Sequence, residues 1–386
     1  MVRMIKNVKV FAPEYLGVKD IVFDKEILYV GESINTDVLP FEIEIYDANG
    51  LYLIPGLIDP HVHITGGGGE GGFVTRTPEL DFSECVKNGI TTVIGCLGTD
   101  GITRSLENLY AKAKSLETEG INTYIYTGSY RVPPVTFTGS VMKDIVLIDK
   151  VIGVGEIAIS DHRSSQPTFE EIARIVADTR VASLLSGKPG IVNFHVGAGS
   201  SGIDYLFKLI DTTEIPIHHL YPTHMSRNRT LFEQGLEFIK KGGTIDLTAL
   251  QPEELPNEIE SFNTVNCIVE IYENKMLDNV TISSDGQGSL PRFDKDGRFL
   301  GLSVGSVSSV PHTLKRVVEK GVPFEDALKI STTNPAKVFN MKKGKISKGY
   351  DADFVVIDLE SWKISTVVSR GEFVMKDGIV KPRIFK

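Results

Sequence analysis

Two histidines that lie two residues apart, His61 and His63, carry the clearest chemical signal in the sequence. They stand between an apolar run, Leu51 to Pro60, and a glycine tract, Gly66 to Gly69. Side chains two apart in an extended strand point to the same face, so both imidazoles can reach one metal ion. Neutral imidazole is a common zinc ligand. The pair predicts half of a metal site, although such a pair on its own also arises by chance.

Eight short apolar or β-branched segments alternate with helical patterns along most of the chain. Several of the helical patterns end in glycine before the next segment, as at Gly89 and Gly242. Eight such units predict a (β/α)8 TIM-type barrel better than an open doubly wound sheet. The expected strands are Leu53–Ile58, Thr91–Leu97, Thr123–Thr127, Val151–Ile159, Ile191–Val196, Ile217–Tyr221, Thr244–Thr248 and Val280–Ser284.

The two ends of the chain do not follow this alternation. Both contain strand-like pieces, such as Val18–Phe23 and Phe354–Asp358, and neither contains a helical pattern. We therefore expect residues 1–50 and 343–386 to form one small, β-sandwich-like domain beside a barrel of residues 51–342.

Metal-binding residue types recur where the other expected strands end. Glu156 lies on the fourth strand, His195 ends the fifth, His224 follows the sixth and Asp285 ends the eighth. The carboxyl ends of barrel strands meet at one face, where barrel enzymes place their active sites. Each residue has an ordinary structural alternative, such as an ion pair between Glu156 and Arg163. Together they predict one metal site whose ligands are His61, His63, Glu156, His195, His224 and Asp285.

The composition narrows the class of protein. The chain has 386 residues and a net charge of −9, which disfavours a general role on nucleic acid or on an anionic membrane. Its cysteines, Cys85, Cys96 and Cys267, are far apart and form no CxxC motif, which argues against both a disulfide framework and a thiolate zinc site. The N-terminal sequence lacks the apolar stretch of a signal peptide, so we expect a cytoplasmic protein.

The order of the metal-binding residues along the chain resembles the metal framework of the amidohydrolase superfamily. Residues 55–63, PGLIDPHVH, are similar to the opening signature of that superfamily, and residues 332–336 and 349–356 are similar to its return into the β domain. Within the superfamily, the chain resembles the isoaspartyl dipeptidases over nearly its whole length. The motifs that carry this resemblance are residues 63–72, 97–100, 158–164, 222–224, 227–228 and 283–289.

One position departs from the pattern of these enzymes. The resemblance implies that the fourth strand carries a lysine whose carboxylated side chain bridges two metal ions, and the matching residue here is Glu156. Glutamate supplies a carboxylate directly, without carbon dioxide, but on a shorter arm. We therefore expect two zinc ions per subunit bridged by Glu156, and a single zinc ion is the alternative.

The resemblance implies hydrolysis of the β-aspartyl (isoaspartyl) peptide bond of dipeptides. Zinc lowers the pKa of its bound water to about 7, so a metal-bound hydroxide is available at neutral pH. Asp285 is expected to act as general base and then as general acid toward the leaving nitrogen. Tyr130 follows the third strand and is expected to donate a hydrogen bond to the oxyanion. An aromatic side chain that only packs at the rim is the alternative for Tyr130.

The charges of an isoaspartyl dipeptide, one ammonium and two carboxylates, predict which groups bind it. Glu70 suits the ammonium, whereas Arg163 and Arg227 suit the carboxylates through bidentate contacts. The resemblance places the two arginines nearer the C-terminal carboxylate, but the division of the carboxylates stays open. It further implies contacts to the aspartyl carboxylate from Gly68, Thr99 and Ser289.

Two other functions stay open from the sequence. A different amidohydrolase activity, such as that of an N-acyl amino acid deacetylase or a cyclic amide hydrolase, would need only one carboxylate clamp. A non-enzymatic assembly protein of the same fold would have lost metal ligands, and this sequence keeps a complete set. The resemblance also implies that the protein forms a homo-oligomer, for example an octamer. It further implies that the substrates are small molecules.

Overall fold

The fold comes from a computed structural model of the chain. It describes residues 1–34, 42–252, 262–293 and 299–383, with the backbone alone at residues 291–293 and 299. Within these ranges the strands are β1 (Arg3–Phe11), β2 (Tyr15–Phe23), β3 (Ile27–Gly31), β4 (Glu44–Asp47), β5 (Tyr52–Pro55), β6 (Leu57–Val62), β7 (Ile90–Gly95), β8 (Asn122–Thr127), β9 (Val151–Ile159), β10 (Ile191–Val196), β11 (Leu220–Thr223), β12 (Ile245–Thr248), β13 (Val280–Ser283), β14 (Ser289–Phe293), β15 (Phe299–Val304), β16 (Phe354–Asp358), β17 (Lys363–Ser369), β18 (Glu372–Lys376) and β19 (Ile379–Val380). The α-helices in the same ranges are α1 (Phe82–Lys87), α2 (Leu106–Glu119), α3 (Val141–Leu147), α4 (Phe169–Ser186), α5 (Asp204–Thr212), α6 (Arg229–Lys240), α7 (Thr264–Glu273), α8 (Ser309–Glu319), α9 (Phe324–Lys329) and α10 (Thr333–Val338).

Nine of the described strands, from both ends of the chain, pair into one sheet. Their order is β19-β18-β17-β16-β5-β1-β2-β3, with β4 beside β1. The two ends join where β5 and β16 run antiparallel, with Ile54 opposite Val355. Buried apolar side chains from both ends form a core of their own, which includes Phe23, Leu53 and Phe354. The two β-rich ends of the chain therefore meet in a common sheet.

Six of the described strands, β6 to β11, form a curved parallel sheet in chain order, and β12 and β13 form a parallel pair beside it. Backbone hydrogen bonds link this pair to both edges of the six-stranded sheet. One runs from Met225 N to Asp246 O over 3.1 Å, and the other from His63 N to Gly286 O over 2.9 Å. Every residue of β7 and β10 is buried, as expected for parallel strands that are covered on both faces.

Helices return the chain from one parallel strand to the next and bury one apolar face each. In α2 the buried residues Leu109, Ala113 and Leu116 recur every three or four positions, which is the spacing of one helix face. In α4 the side chains of Thr168 and Glu171 form a capping box that fixes where the helix begins. In the part of the chain that is described, every helix is too short or too polar to cross a membrane.

The first expected strand, Leu53–Ile58, is two strands in the structure. β5 ends at Pro55 in the nine-stranded sheet, and β6 begins at Leu57 in the parallel sheet. Gly56 lies between them against Thr91, where a Cβ atom would stand 2.2 Å from the threonine hydroxyl oxygen. The sixth expected strand begins later than predicted, because residues 217–219 form a 3-10 turn and β11 begins at Leu220.

Candidate metal centre

All six side chains predicted to ligate metal lie together at the carboxyl ends of the parallel strands. His61 lies in β6, Glu156 in β9 and His195 in β10. The other three follow the last residues of β6, β11 and β13 and are His63, His224 and Asp285. Two of these, His224 and Asp285, have left-handed backbone conformations, with φ of 66° and 51°. Such conformations are uncommon away from glycine and cluster at functional sites.

One group of ligand atoms gathers around His61 and His63. The Nε2 atom of His61 lies 3.2 Å from Oε2 of Glu156, and Nε2 of His63 lies 3.0 Å from Oδ1 of Asp285. The same nitrogen of His63 is 3.4 Å from Oε1 of Glu156. None of the four side chains is more than 13% exposed, so these atoms meet away from bulk water.

A second group joins Glu156 to His195 and His224. Nδ1 of His195 lies 3.1 Å from Oε2 of Glu156, and Nε2 of His224 lies 3.8 Å from the same oxygen. The ligand atoms of this group all lie within 4.8 Å of one another. Glu156 belongs to both groups, so its carboxylate stands where a bridge between two cations would stand.

The donor atoms fit divalent cations because several of them are buried without a hydrogen bond. Oε1 of Glu156, Nε2 of His224 and Oδ1 of Asp285 are buried and make no hydrogen bond among the described residues. A buried polar atom without a partner is costly, and most such atoms in proteins are satisfied. Imidazole and carboxylate donors are the ligands that zinc takes in catalytic sites. The residues present therefore fit one or two zinc ions.

The nitrogens that face away from the two ligand groups are held by other side chains. Nδ1 of His61 lies 3.0 Å from Oδ1 of Asn193, and Nδ1 of His224 lies 2.6 Å from Oγ1 of Thr248. In His195 the two ring nitrogens exchange these roles: Nε2 lies 3.1 Å from Oδ2 of Asp161, and Nδ1 faces Glu156. Contacts of this kind fix the orientation of ligating imidazoles and tune the bound metal.

The charges of the cluster set the protonation of its members. Burial alone would raise the pKa of Glu156, but the charges of His61 and His195 hold it well below its usual range. Burial and the nearby His195 lower the pKa of His224 to about 3. At neutral pH, Glu156 is thus a carboxylate and His224 a neutral imidazole.

The structure adds one residue that the sequence analysis set aside, the cysteine that follows β7. Sγ of Cys96 lies 3.6 Å from Nε2 of His61 and 3.8 Å from Nδ1 of His63. The four side chains of His61, His63, Cys96 and Glu156 offer ligand atoms within 4.8 Å of one another. The sequence analysis had argued against a thiolate ligand because the cysteines form no CxxC motif. The usable signal was position, since Cys96 ends a parallel strand as His63 does.

A cavity of about 1090 Å³ opens over the metal-ligand cluster and reaches His63, His195 and Asp285. The cavity is lined by all seven residues that were predicted, in addition to the metal ligands, to act in catalysis or substrate binding. They are Gly68, Glu70, Thr99, Tyr130, Arg163, Arg227 and Ser289. The hydroxyl of Tyr130 lies 2.8 Å from Nδ1 of His195, which brings it next to the second ligand group.

The polar side chains of the cavity are connected to one another. Arg163 donates to Asp161 through Nε (3.0 Å) and Nη2 (2.8 Å), and its Nη1 lies 3.4 Å from Oε1 of Glu70. The predicted alternative of an ion pair between Arg163 and Glu156 is therefore absent among the described contacts. Thr99 donates to Glu70 over 2.9 Å, and the exposed Arg227 donates through Nε to the carbonyl oxygen of Val196. Sequence reasoning missed Asp161, since nothing in its spacing separates it from a surface carboxylate.

Comparison with known proteins places the chain among hydrolytic enzymes. The model of the amidohydrolase family matches residues 52–385. The chain is similar to the solved β-aspartyl dipeptidase of Fervidobacterium islandicum AW-1 in complex with a β-Asp-Leu dipeptide, with 70% identity and a TM-score of 0.96 over 100% of this chain and 99% of that one. A second structure of that dipeptidase is 68% identical, with a TM-score of 0.93 over all of both chains. An adenine deaminase of Kosmotoga olearia is 26% identical over 97% of this chain, which spans only 58% of that protein.

Proposed function

Because this chain belongs to the amidohydrolase family and, within it, to the β-aspartyl dipeptidases, we propose that it hydrolyses the β-aspartyl (isoaspartyl) peptide bond of dipeptides. The observation that carries this proposal is the set of charges around the cavity over the metal ligands. Arg163, Arg227 and Glu70 line that cavity. A dipeptide with two carboxylates and one ammonium offers a partner of opposite charge to each of these three side chains.

We assign the cofactor as zinc, two ions per subunit with Glu156 between them, and keep one ion as the alternative. The donor types and the buried atoms without hydrogen-bond partners support this assignment. When bound, the metal polarises the amide carbonyl and acidifies water. The other proposed ligands are His61, His63, His195, His224 and Asp285.

Asp285 is the residue proposed to move the proton of the reaction. Burial alone would raise its pKa, but contact with His63 and the charges of His63 and His61 hold the pKa below the usual range of a carboxyl group. Asp285 is therefore ionised and lines the cavity at neutral pH. It accepts a proton from the attacking water and returns it to the leaving nitrogen as the amide bond breaks.

Tyr130 is proposed to stabilise the charge that develops on the carbonyl oxygen. Burial raises the pKa of its phenol well above the usual value, so the hydroxyl keeps its proton at neutral pH. A neutral phenol in the cavity can donate a hydrogen bond to an oxyanion, and such donors contribute strongly when water is excluded. The contact of Tyr130 with His195 supports this role over packing alone.

Glu70 and Arg163 are proposed to bind opposite charges of the dipeptide. Nη1 of Arg163 lies 3.4 Å from Oε1 of Glu70. Each of the two side chains is therefore placed to bind a group of the opposite charge. The substrate ammonium would bind Glu70, and its carboxylates would bind Arg163 and Arg227. Contacts to the aspartyl carboxylate are proposed from Gly68, Thr99 and Ser289, which line the same cavity.

The larger architecture is proposed from the same observations. Hydrogen bonds at both edges of the β12–β13 pair support a closed (β/α)8 barrel of residues 51–342. The nine-stranded sheet supports the small β domain predicted from residues 1–50 and 343–386, and it also includes β5, which lies past the predicted boundary at residue 50. Assembly into homo-oligomers such as an octamer, and a cytoplasmic location, stay predictions from the sequence.

A panel of three substrates tests the proposed activity against its alternatives. The metal-loaded protein is expected to hydrolyse β-aspartyl-leucine in strong preference to α-aspartyl-leucine and to N-acetyl-leucine. Two proposed carboxylate-binding arginines, Arg163 and Arg227, favour the dipeptide over the N-acyl amino acid, because the latter carries one carboxylate. Equal cleavage of both aspartyl dipeptides, or cleavage of N-acetyl-leucine alone, would contradict the proposal.

A further inference from the structure

The buried thiol of Cys96 has no part in the proposed reaction, yet it lies inside the metal centre. Its Sγ atom is 3.6 Å from Nε2 of His61 and 3.8 Å from Nδ1 of His63. The side chain is fully buried. A sulfur atom at these distances from two imidazole nitrogens is in the range of a shared ligand set, and thiolate is a strong zinc ligand.

Cys96 also packs beside buried apolar side chains such as Ile94 and Tyr126, but the other two cysteines belong to neither metal-ligand group of the described residues. Cys85 and Cys267 are also buried, but they pack within the apolar core of the molecule. Burial raises the pKa of the Cys267 thiol to about 12, and it raises the pKa of Cys85 as well. These two side chains behave as small apolar residues, which is the usual role of a buried free cysteine. Cys96 therefore has matched internal controls.

A packing role does not account for the atoms around Cys96. Glu156 belongs to the ligand group that contains Cys96, and its buried Oε1 makes no hydrogen bond among the described residues. Oδ1 of Asp285 is buried without a hydrogen bond as well, 3.0 Å from Nε2 of His63. Carboxylate oxygens of Glu156 and Asp285 thus lie within 3.4 Å of Nε2 of His63, an arrangement that a bound cation would satisfy.

We propose that the Cys96 thiolate is a ligand of the metal ion held by His61 and His63. The thiol loses its proton to solvent when the metal binds, and one sulfur–metal bond forms. The Cys96 thiolate would add a second negative charge to the one that the Glu156 carboxylate supplies. The inference rests on the metal centre of the proposed function and goes beyond it, because it gives the two metal positions different chemical character.

A thiolate ligand has a consequence for metal choice. Soft thiolate favours zinc, and it does not suit magnesium or manganese, which prefer oxygen. The position with His61, His63 and Cys96 should therefore bind zinc more tightly than the position with His195 and His224. In the Cys96→Ser variant, the affinity for metal at the position with His61 and His63 should fall by about tenfold or more.

Cobalt is the probe that tests the thiolate directly. Apo-protein loaded with Co²⁺ is expected to show a thiolate-to-cobalt charge-transfer band in the near ultraviolet, beside the visible bands that report bound cobalt. The Cys96→Ser variant should keep visible bands and lose the charge-transfer band. The Cys267→Ser variant, with the same substitution in the apolar core, should retain both.

The wild-type spectrum decides the question even if a variant fails to fold. Visible cobalt bands without a charge-transfer band in the wild-type protein would overturn the proposal, and so would a charge-transfer band that persists in Cys96→Ser. Either result can occur with full hydrolysis of β-aspartyl-leucine, so failure of this inference is distinct from failure of the proposed activity.

Discussion

The Oδ2 atom of Asp161 lies 3.1 Å from Nε2 of His195, on the side of the imidazole that faces away from Glu156. The same carboxylate accepts two hydrogen bonds from Arg163. One side chain thus holds a proposed metal ligand and a proposed substrate-binding arginine. Metal binding and substrate binding are physically connected at this residue.

Replacement of Asp161 by Asn should weaken both functions. We expect metal affinity at the position of His195 to fall by about tenfold to a hundredfold, because outer contacts of ligating histidines have effects of this size. KM for β-aspartyl-leucine should rise as Arg163 loses its anchor. Zinc titration and steady-state kinetics measure the two effects, and Asp211→Asn on the surface is the control. Normal values of both would remove Asp161 from this role.

The double variant His61→Ala/His63→Ala should lose activity and most of its metal. Four histidines meet at the strand ends, and the loss of two of them removes most ligands of one metal position. Metal analysis and circular dichroism measure the outcome, with His312→Ala in α8 as the control for loss of an imidazole. A double variant with full zinc content and full activity would end the metallohydrolase interpretation.

The Asp285→Asn variant should keep its metal but lose turnover by a factor of about 10² to 10⁴. Asparagine can still offer an oxygen ligand, but it cannot take a proton from water and return it to the leaving nitrogen. Measurement of kcat on protein of known metal content separates the two effects. If metal-replete Asp285→Asn turned over at a nearly normal rate, the proton would have to move through another residue.

Arg227→Met should raise KM for β-aspartyl-leucine far more than it changes protein stability. Arg227 lines the cavity and is exposed, so its guanidinium is available to a substrate carboxylate rather than to the core. Arg229→Met is a matched control two residues away, because Arg229 pairs with Glu270 on the surface. Kinetics and thermal unfolding of both variants check the prediction. Unchanged kinetics in Arg227→Met would exclude this residue from the site.

The metal-ligand set could be predicted from the sequence because its physical rule is simple. Parallel strands end at one face, so His61, Glu156 and His195 had to approach one another once the strands were recognised. Cys96 obeys the same rule, but a single cysteine has no spacing motif. The role of Asp161 could not be predicted, because its contact with His195 depends on the path of a loop.

Fold boundaries were harder to predict where apolar residues run on without a break. The apolar run Leu51 to Pro60 contributes strands to two different sheets, and Gly56 is the residue that separates β5 from β6. The antiparallel pair β14–β15 after Asp285 and helix α3 were not expected either. Their sequences lack the long periodic pattern that identifies the larger elements.

Glu156 stands where the resemblance implies a carboxylated lysine, and this difference predicts how the two proposed metal positions fill. A shorter arm between two cations should hold the second ion more weakly, so zinc content should rise from one toward two per subunit as zinc is added. Glu156→Gln removes the negative charge between the cations and should release one metal and most activity. Full activity with one zinc per subunit, and no gain from a second, would contradict the two-metal assignment.

The most direct test of the account is hydrolysis of β-aspartyl-leucine by apo-protein titrated with zinc in buffer free of carbon dioxide. We expect activity to appear with added zinc and to reach its full value without bicarbonate, because Glu156 already carries the carboxylate that a lysine enzyme must build from carbon dioxide. The contrary result is no hydrolysis of this dipeptide at any zinc content, or hydrolysis only after bicarbonate is supplied.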